Sequence, residues 1–464
     1  MPRERDVIPA EAQKESTMSA ENAEQSALQQ IDSRPLTGHQ KSLIGLAIVG
    51  NISEFFDMFL IGFVVSLLTK PWNLTGTETG VVLACSGLGT VVGAIMWGRL
   101  ADKIGRRRTF FRCVLLFVVF TIVSAFTPDR GWIMLAVLRV GVGIGVGGLN
   151  ITSIPYVQEF VPARQRGLLS GLASVFIPFG LFLGSLAQKA FHENWRLLIS
   201  LGALPVFLLI WIRAVPESPR FLQTKGRTAQ ARASLAWALE IPVEQLGSLP
   251  ELAERTSASY STLFRKHLKA LVIVTLGSFC FILGSFTVQS WGQTLLQTGY
   301  AKSASTVGTL FMFVSLVDLL GRLGSAWLAD LIGRRRTMFL YGLLGAAGSL
   351  VVAFSAHLQA SWVIFFIGIL MTMGFGDGAF GILNAFGGEQ FPTEARSTGL
   401  GLGYGIGAIA KVIGPYFVGA LIGNGELTAE VVFLPFMIFA VLLLLGGVIY
   451  LFARETKGAS LEDI

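Results

Sequence analysis

Charge is what this sequence has least of. Only 14% of its 464 residues are Asp, Glu, Lys or Arg, against roughly a quarter in an ordinary soluble chain. Cysteine is nearly absent too. Cys85, Cys113 and Cys280 lie in apolar stretches without a CxxC pair, which leaves no disulfide framework and makes them small buried hydrophobes. The four histidines, His39, His192, His267 and His357, are scattered, so no metal site is expected. No GxSxG, HExxH or P-loop lysine occurs, which excludes those hydrolases, zinc peptidases and ATP-driven machines. No cofactor is expected. The first forty residues lack an apolar core, so residues 1–40 read as a disordered cytoplasmic tail, not a cleaved signal.

What fills the chain is hydrophobic, at 52% of residues. A helix needs about 20 apolar residues to cross a bilayer. Twelve such segments run over 43–68, 79–101, 110–127, 132–157, 168–190, 197–214, 269–290, 305–327, 338–356, 362–386, 398–422 and 430–452. Buried helices of soluble proteins are shorter and carry a polar face. The fold expected is an all-α membrane protein of two six-helix bundles, residues 41–214 and 269–453. A charged segment at 215–268, suited to short amphipathic helices, separates them, and a tail at 454–464 follows.

The net charge of +7 does not point to nucleic acid. Its basic residues cluster between apolar segments: Arg106-Arg107-Arg108, Arg334-Arg335-Arg336, and a central set that includes Arg220, Arg227 and Lys266. Counting spans puts all three regions on one side, which the positive-inside rule makes cytoplasmic, with both termini. The absence of a long outer loop points to a bacterial inner membrane. The partners expected are the bilayer and a small molecule, and a monomer is expected to suffice.

The halves repeat. Leu100-Ala101-Asp102-Lys103-Ile104-Gly105-Arg106-Arg107-Arg108-Thr109 returns as Leu328-Ala329-Asp330-Leu331-Ile332-Gly333-Arg334-Arg335-Arg336-Thr337, 228 positions on. Glu159, Pro162 and Arg166 return as Glu389, Pro392 and Arg396, 230 positions on. Two motifs at nearly one offset imply a duplicated six-helix unit in parallel orientation. Their carboxylates and arginines are expected to form conformational charge clusters, with Asp102 and Asp330 as gating partners of arginines on neighbouring spans and Glu159–Arg166 and Glu389–Arg396 extending them.

Ionisable residues inside spans are costly, at roughly 2.5–3.5 kcal/mol each, and so are functional candidates. Glu54 and Asp57 are three apart in the first span, on one helical face, where they can share a proton. Asp318 and Arg322 are spaced i, i+4 in the eighth; Asp377 lies among glycines in the tenth; Lys411 lies centrally in the eleventh. Lys411 is the leading substrate-site candidate, followed by Gln289 and Gln293 of the seventh segment and Asn150 and Tyr156 of the fourth.

Together with Pro216-Glu217-Ser218-Pro219-Arg220 and Arg454-Glu455-Thr456-Lys457-Gly458, the repeated motifs resemble the signatures of the major facilitator superfamily over everything after residue 40. In particular, Glu217, Arg220 and Glu455 match strings found in sugar porters and their organic-ion-carrying relatives. The acid pair of the first span, Asp318 with Arg322, and Lys411 before Gly414-Pro415 resemble the aromatic-acid:proton symporters, with Glu54 in place of an aspartate and Lys411 in place of an arginine. Gly50-Asn51 with Glu54-Phe55-Phe56-Asp57 resembles the metabolite:proton symporters. These resemblances imply a non-enzymatic secondary transporter working by alternating access, driven by protons and taking up an organic acid. A sugar:proton symporter, an organic-ion transporter and an exporter remain the alternatives.

Overall fold

A computed structural model describes residues 26–162, 176–249, 260–392, 395–424 and 430–457. Among these the regular elements are helices, with no strand. Ten helices are long and apolar enough to cross a membrane, from Gly38–Leu68 to Phe433–Leu451. Two more segments complete the twelve spans. Arg106–Ser124 is the third, and its four arginines depress its hydropathy; the fifth is described from Ile177 to Ala190.

Capping starts several spans where the sequence leaves the bilayer. Thr37 and Gln40 form a reciprocal capping box at the first, Thr75 and Glu78 at the second, and Ser303 caps the eighth. Each satisfies backbone N–H groups the helix cannot.

The duplicated motif builds the same object twice. Gly105, at φ +101°, joins the second span (Gly76–Ile104) to the third. Gly333, at φ +96°, joins the eighth (Ala304–Ile332) to the ninth (Arg334–His357). A Cβ on Gly105 would lie 2.3 Å from Glu217 Oε2, and one on Gly333 2.7 Å from Glu455 Oε2. These carboxylates occupy the starts of the third and ninth spans. Glu217 accepts from the Arg107 N–H at 3.0 Å, and Glu455 accepts from the Arg334 and Arg335 N–H groups at 2.9 and 3.2 Å. An anion is favoured at that helix end.

Arginines complete each cluster. Arg106 pairs with Asp102 at 3.5 Å and Glu159 at 3.2 Å; Arg334 pairs with Asp330 at 3.4 Å and Glu389 at 3.3 Å. Ser218 donates to Glu159 as Thr456 donates to Glu389. Arg107 holds the carbonyls of Ile212 and Arg213, closing the sixth span, as Arg335 holds that of Leu451, closing the twelfth. Glu389 thus takes Arg334 rather than Arg396, whose Nε and Nη2 are buried without a hydrogen bond. Arg166 lies outside the described residues, and Arg220 opens the helix Pro219–Thr224.

The expectation of disorder up to residue 40 is corrected from residue 26 onward. Ala27–Ser33 is a helix with its own capping box. Ala27 and Ile31, one turn apart, pack on Leu235, Leu239 and Leu246 of the central segment. Gln30 accepts from the Gly247 N–H at 3.2 Å.

The two halves meet away from the basic loops. Gly76 and Gly80 of the second span abut Ile422 and Gly419 of the eleventh, and Gly87 abuts Lys411 further along. Gly308 of the eighth span abuts Ser185 and Lys189 of the fifth, and Ser315 donates to the Pro178 carbonyl. At the basic end, no ion pair among the described residues joins one half to the other.

Gly105→Ala is expected to lower the unfolding midpoint in detergent by an amount equivalent to about 1–3 kcal/mol, because the side chain is strained and displaces Glu217. Gly226→Ala, at φ +70° but with nothing within 4 Å, is expected to cost less; equal losses would show that Glu217 adds nothing. Burial pushes the Glu455 carboxyl up, but the N–H groups of Arg334, Arg335, Lys457 and Thr456 outweigh it and hold it below the usual carboxylate range. A depressed pKa gives stability present above the unfolded value of about 4.3 and lost as pH falls through the folded one. Glu455→Gln should therefore be less stable than the wild type at neutral pH, with the gap closing on acidification in a thermal-unfolding pH series.

Candidate substrate and proton sites

The first span carries Asn51, Glu54 and Asp57 on adjoining turns, all buried. The structure separates the two acids. Asp57 is gripped by Arg139 of the fourth span (Trp132–Gln158), with Nη2–Oδ2 at 2.6 Å and Nη1–Oδ1 at 3.2 Å. Both side chains are 1% exposed. Arg139 Nε also donates to Ser86 Oγ of the second span at 3.0 Å. Asp57 is a committed ion-pair partner, tying three spans of one half together. Among the described residues no hydrogen bond joins it to Glu54.

Glu54 is different. It is 2% exposed, and its Oε2 has no hydrogen bond, nor has either amide atom of Asn51. Lys411, from the opposite half, stands over the ring of the adjacent Phe55. The eleventh span breaks between Gly407 and Ala410, and Lys411 follows the break. Its Nζ lies 5.9 Å from the Phe55 ring centroid and 5.7 Å from that of Phe286. Among the described residues no carboxylate stands within 4.0 Å of it. Lys411 is thus a cation deep in a span that rests against two aromatic faces with no described carboxylate in contact.

The seventh span supplies amides. Gln289 and Gln293 are buried. Neither end of the Gln293 amide is satisfied, nor is Gln297 Oε1 or Gln188 Oε1 of the fifth span. A buried polar group left without a partner costs about 1–3 kcal/mol, so their retention marks a place for ligand or water. Below Gln293 the helix widens into a π turn, Leu295–Gly299. Trp291 is not an interfacial anchor: it is 1% exposed, and its indole donates to the Pro415 carbonyl at 3.1 Å.

One of the expected ligands lies elsewhere. Tyr156 sits at the basic end, where its hydroxyl donates to the Pro216 carbonyl. The side chain of Asn150 lies outside the described residues. In the other half, Arg322 Nε donates to Asp318 at 3.1 Å, and Arg322 Nη2 donates to Asp377. All three are buried. Asp377 ends a second π turn, Thr372–Asp377, of the kind frequent at functional sites.

The comparisons agree with this architecture. Residues 43–464 match the family described as Sugar (and other) transporter. The chain belongs to that family, within the major facilitator superfamily. A niacin transporter of Acinetobacter baylyi is 28% identical over 444 residues, covering 94% of this chain and 98% of the relative. A gallate transporter of Pseudomonas putida is 27% identical over 408 residues, covering 85% and 88%. Among solved structures, a partially occluded inward-open form of the xylose transporter of E. coli superposes with a TM-score of 0.70 at 19% identity, covering 91% of this chain and all of that one. A form described as a proton:xylose symporter bound to a bromo-deoxyglucose gives 0.65 at 20% identity, covering 92% and 98%.

This member of the family is therefore a multi-pass membrane protein and a secondary transporter of small molecules, not an enzyme. Its site combines what the sequence offered with one residue the reading passed over. Arg139 is a lone cation in an apolar run, Val137-Leu138-Arg139-Val140, and the rule that singled out Lys411 applies to it equally.

Arg139→Met is expected to destabilise the protein by about 3–5 kcal/mol, since it strands the Asp57 carboxylate in a dry interior. The double variant Asp57→Leu with Arg139→Met should recover much of that loss in thermal-unfolding measurements. A single variant as stable as the wild type would show that the pair braces nothing.

Proposed function

We propose that the protein is a proton-coupled importer of a small organic monocarboxylate, with an aromatic acid as the best fit. The observation that carries this is Lys411, set between Phe55 and Phe286 and opposite the unsatisfied Glu54 carboxylate. The niacin and gallate transporters among its relatives support an aromatic acid, and the proton:xylose symporter supports proton coupling. The basic loops and both termini face the cytoplasm on this reading, so the structure is an inward-facing state.

The coupling is a substitution of charges. In the empty carrier Glu54 is the counter-charge of Lys411. A carboxylate arriving at Lys411, its ring between Phe55 and Phe286, takes over that role. Glu54 is then an uncompensated acid in a dry site and takes up a proton. Substrate and proton together leave the site no more charged than before, and the halves can rock around it. Asp57 stays with Arg139.

Gln293, with both ends of its amide unpaired, favours a second reading, in which a hydroxyl-rich sugar is the solute. Ligand-induced thermal stabilisation decides between them. Nicotinate, benzoate, short aliphatic acids, xylose and glucose are tested on the purified protein. The expected outcome is stabilisation by the aromatic acids and loss of it in Lys411→Ala. Removing a charge-assisted contact of about 1.5–3 kcal/mol should weaken binding roughly 10–150-fold. Glu54→Gln is expected to weaken the response of uptake to an inward pH gradient. Stabilisation by a sugar alone, or by acids unchanged in Lys411→Ala, would sink the carboxylate reading.

A further inference from the structure

We infer that Asp318 and Asp377 hold a single proton between them against Arg322, and that this is a second proton carried per substrate. Among the described residues, the acids buried deep in the spans are Glu54, Asp57, Asp318 and Asp377, and the cations there are Arg139, Arg322 and Lys411. Asp57 has Arg139 to itself. Of these three cations, Arg322 alone is shared by two carboxylates. With both ionised, the triad keeps one negative charge beyond what Arg322 neutralises, in side chains 1–6% exposed.

Among the described residues, no further cation pairs with it. Ser325 Oγ, one turn on, donates to the Gly378 carbonyl at 2.8 Å and to that of Arg322 at 2.9 Å. Tyr341 of the ninth span donates to the Gly321 carbonyl at 3.0 Å. The Phe380 ring lies 5.6 Å from Arg322 Cζ. No Lys, other Arg or His makes an ion pair with the triad among the described residues. Two carboxylates on one buried guanidinium cannot both stay ionised cheaply, and a shared proton is the simplest remedy.

The same site is built to move. Asp377 closes the π turn Thr372–Asp377, and regular helix resumes at Phe380. Bare backbone faces it: a Cβ on Gly321 would meet the Gly374 carbonyl, and one on Gly378 would meet Gly321. The eighth and tenth spans touch there without side chains between them. A π turn can shift its register by local rearrangement, carrying the Asp377 carboxylate toward or away from Arg322. An acid whose distance from its cation changes with the conformation binds its proton in one state and releases it in the other.

This step rests on the proposed function for the monoanion and for the Glu54 proton, but the triad's proton is independent of both. Two protons with one monoanion carry one net positive charge inward, so an inside-negative potential should drive uptake. The test uses the full chain in proteoliposomes, with nicotinate as probe, a valinomycin-set potassium potential and a pH dye reading proton entry. The wild type is expected to move two protons per nicotinate and to respond to voltage. Glu54→Gln should move one. Asp377→Asn should also move one and lose the voltage response, and Asp318→Asn is the second reading of the same change.

A wild-type ratio of one without voltage dependence overturns the inference. So does either Asp→Asn variant that keeps the wild-type ratio. If both variants are inactive, the wild-type and Glu54→Gln ratios decide it: two and one support it, while one and none reject it. If nicotinate does not move but xylose does, the carboxylate reading fails on its own. The triad's proton is then read with xylose as one proton in the wild type and none in Asp377→Asn; equal counts reject it.

Discussion

A charge inside an apolar span must meet an opposite charge, and the interior of this carrier is organised by how fully that demand is met. Where it is met completely, the protein is braced. Arg139 satisfies both Asp57 oxygens and reaches Ser86 as well, fixing the first, second and fourth spans as one body. Where it is not met by contact, the proposed function places the ligand: Glu54 and Lys411 belong to different halves and make no ion pair with each other among the described residues. Where one cation serves two acids, at Arg322, the proposed proton would complete the balance.

The clusters at the basic end answer to a different need. In this conformation their carboxylates pair with arginines of neighbouring spans within each half. Arg106 and Glu217 join the third span to the second, the fourth and the segment after the sixth; Arg334 and Glu455 do the same in the other half. Rocking requires two bodies stiff enough to move as units. The close contacts of small residues, from Gly76 to Gly87 and at Gly308, are where the two bodies meet.

The twelve spans, the division into halves and the repeat are legible in the sequence because they depend on run length, composition and spacing. The candidate charges are legible too, because any ionisable residue in such a run stands out. Partners are not. Glu54 and Asp57 look like a pair, since three residues bring them to adjoining faces, but the fourth span, 82 residues further along, claims Asp57 alone. Tyr156 looks like a ligand until Pro216 is seen to accept its hydroxyl. The two π turns have no simple pattern: glycines mark Thr372–Asp377, but Leu295–Gly299 reads as ordinary helix until its end. The tail helix at Ala27–Ser33 is hidden because its apolar face is small and is buried only by a segment two hundred residues away.

The repeat also shows how the halves have divided their labour. At the basic end the correspondence is nearly residue for residue, down to Ser218 and Thr456 on Glu159 and Glu389. Inside the bilayer it disappears. Shifted by the same 228 positions, Asp57 falls on Ser285, Asp318 on Thr90 and Arg322 on Ala94. The mechanical parts have stayed alike because both halves must be rigid in the same way. The charged interiors differ, and under the proposed proton coupling the difference has a use: a symmetric interior would offer the proton equivalent places in both halves and leave it no preferred one.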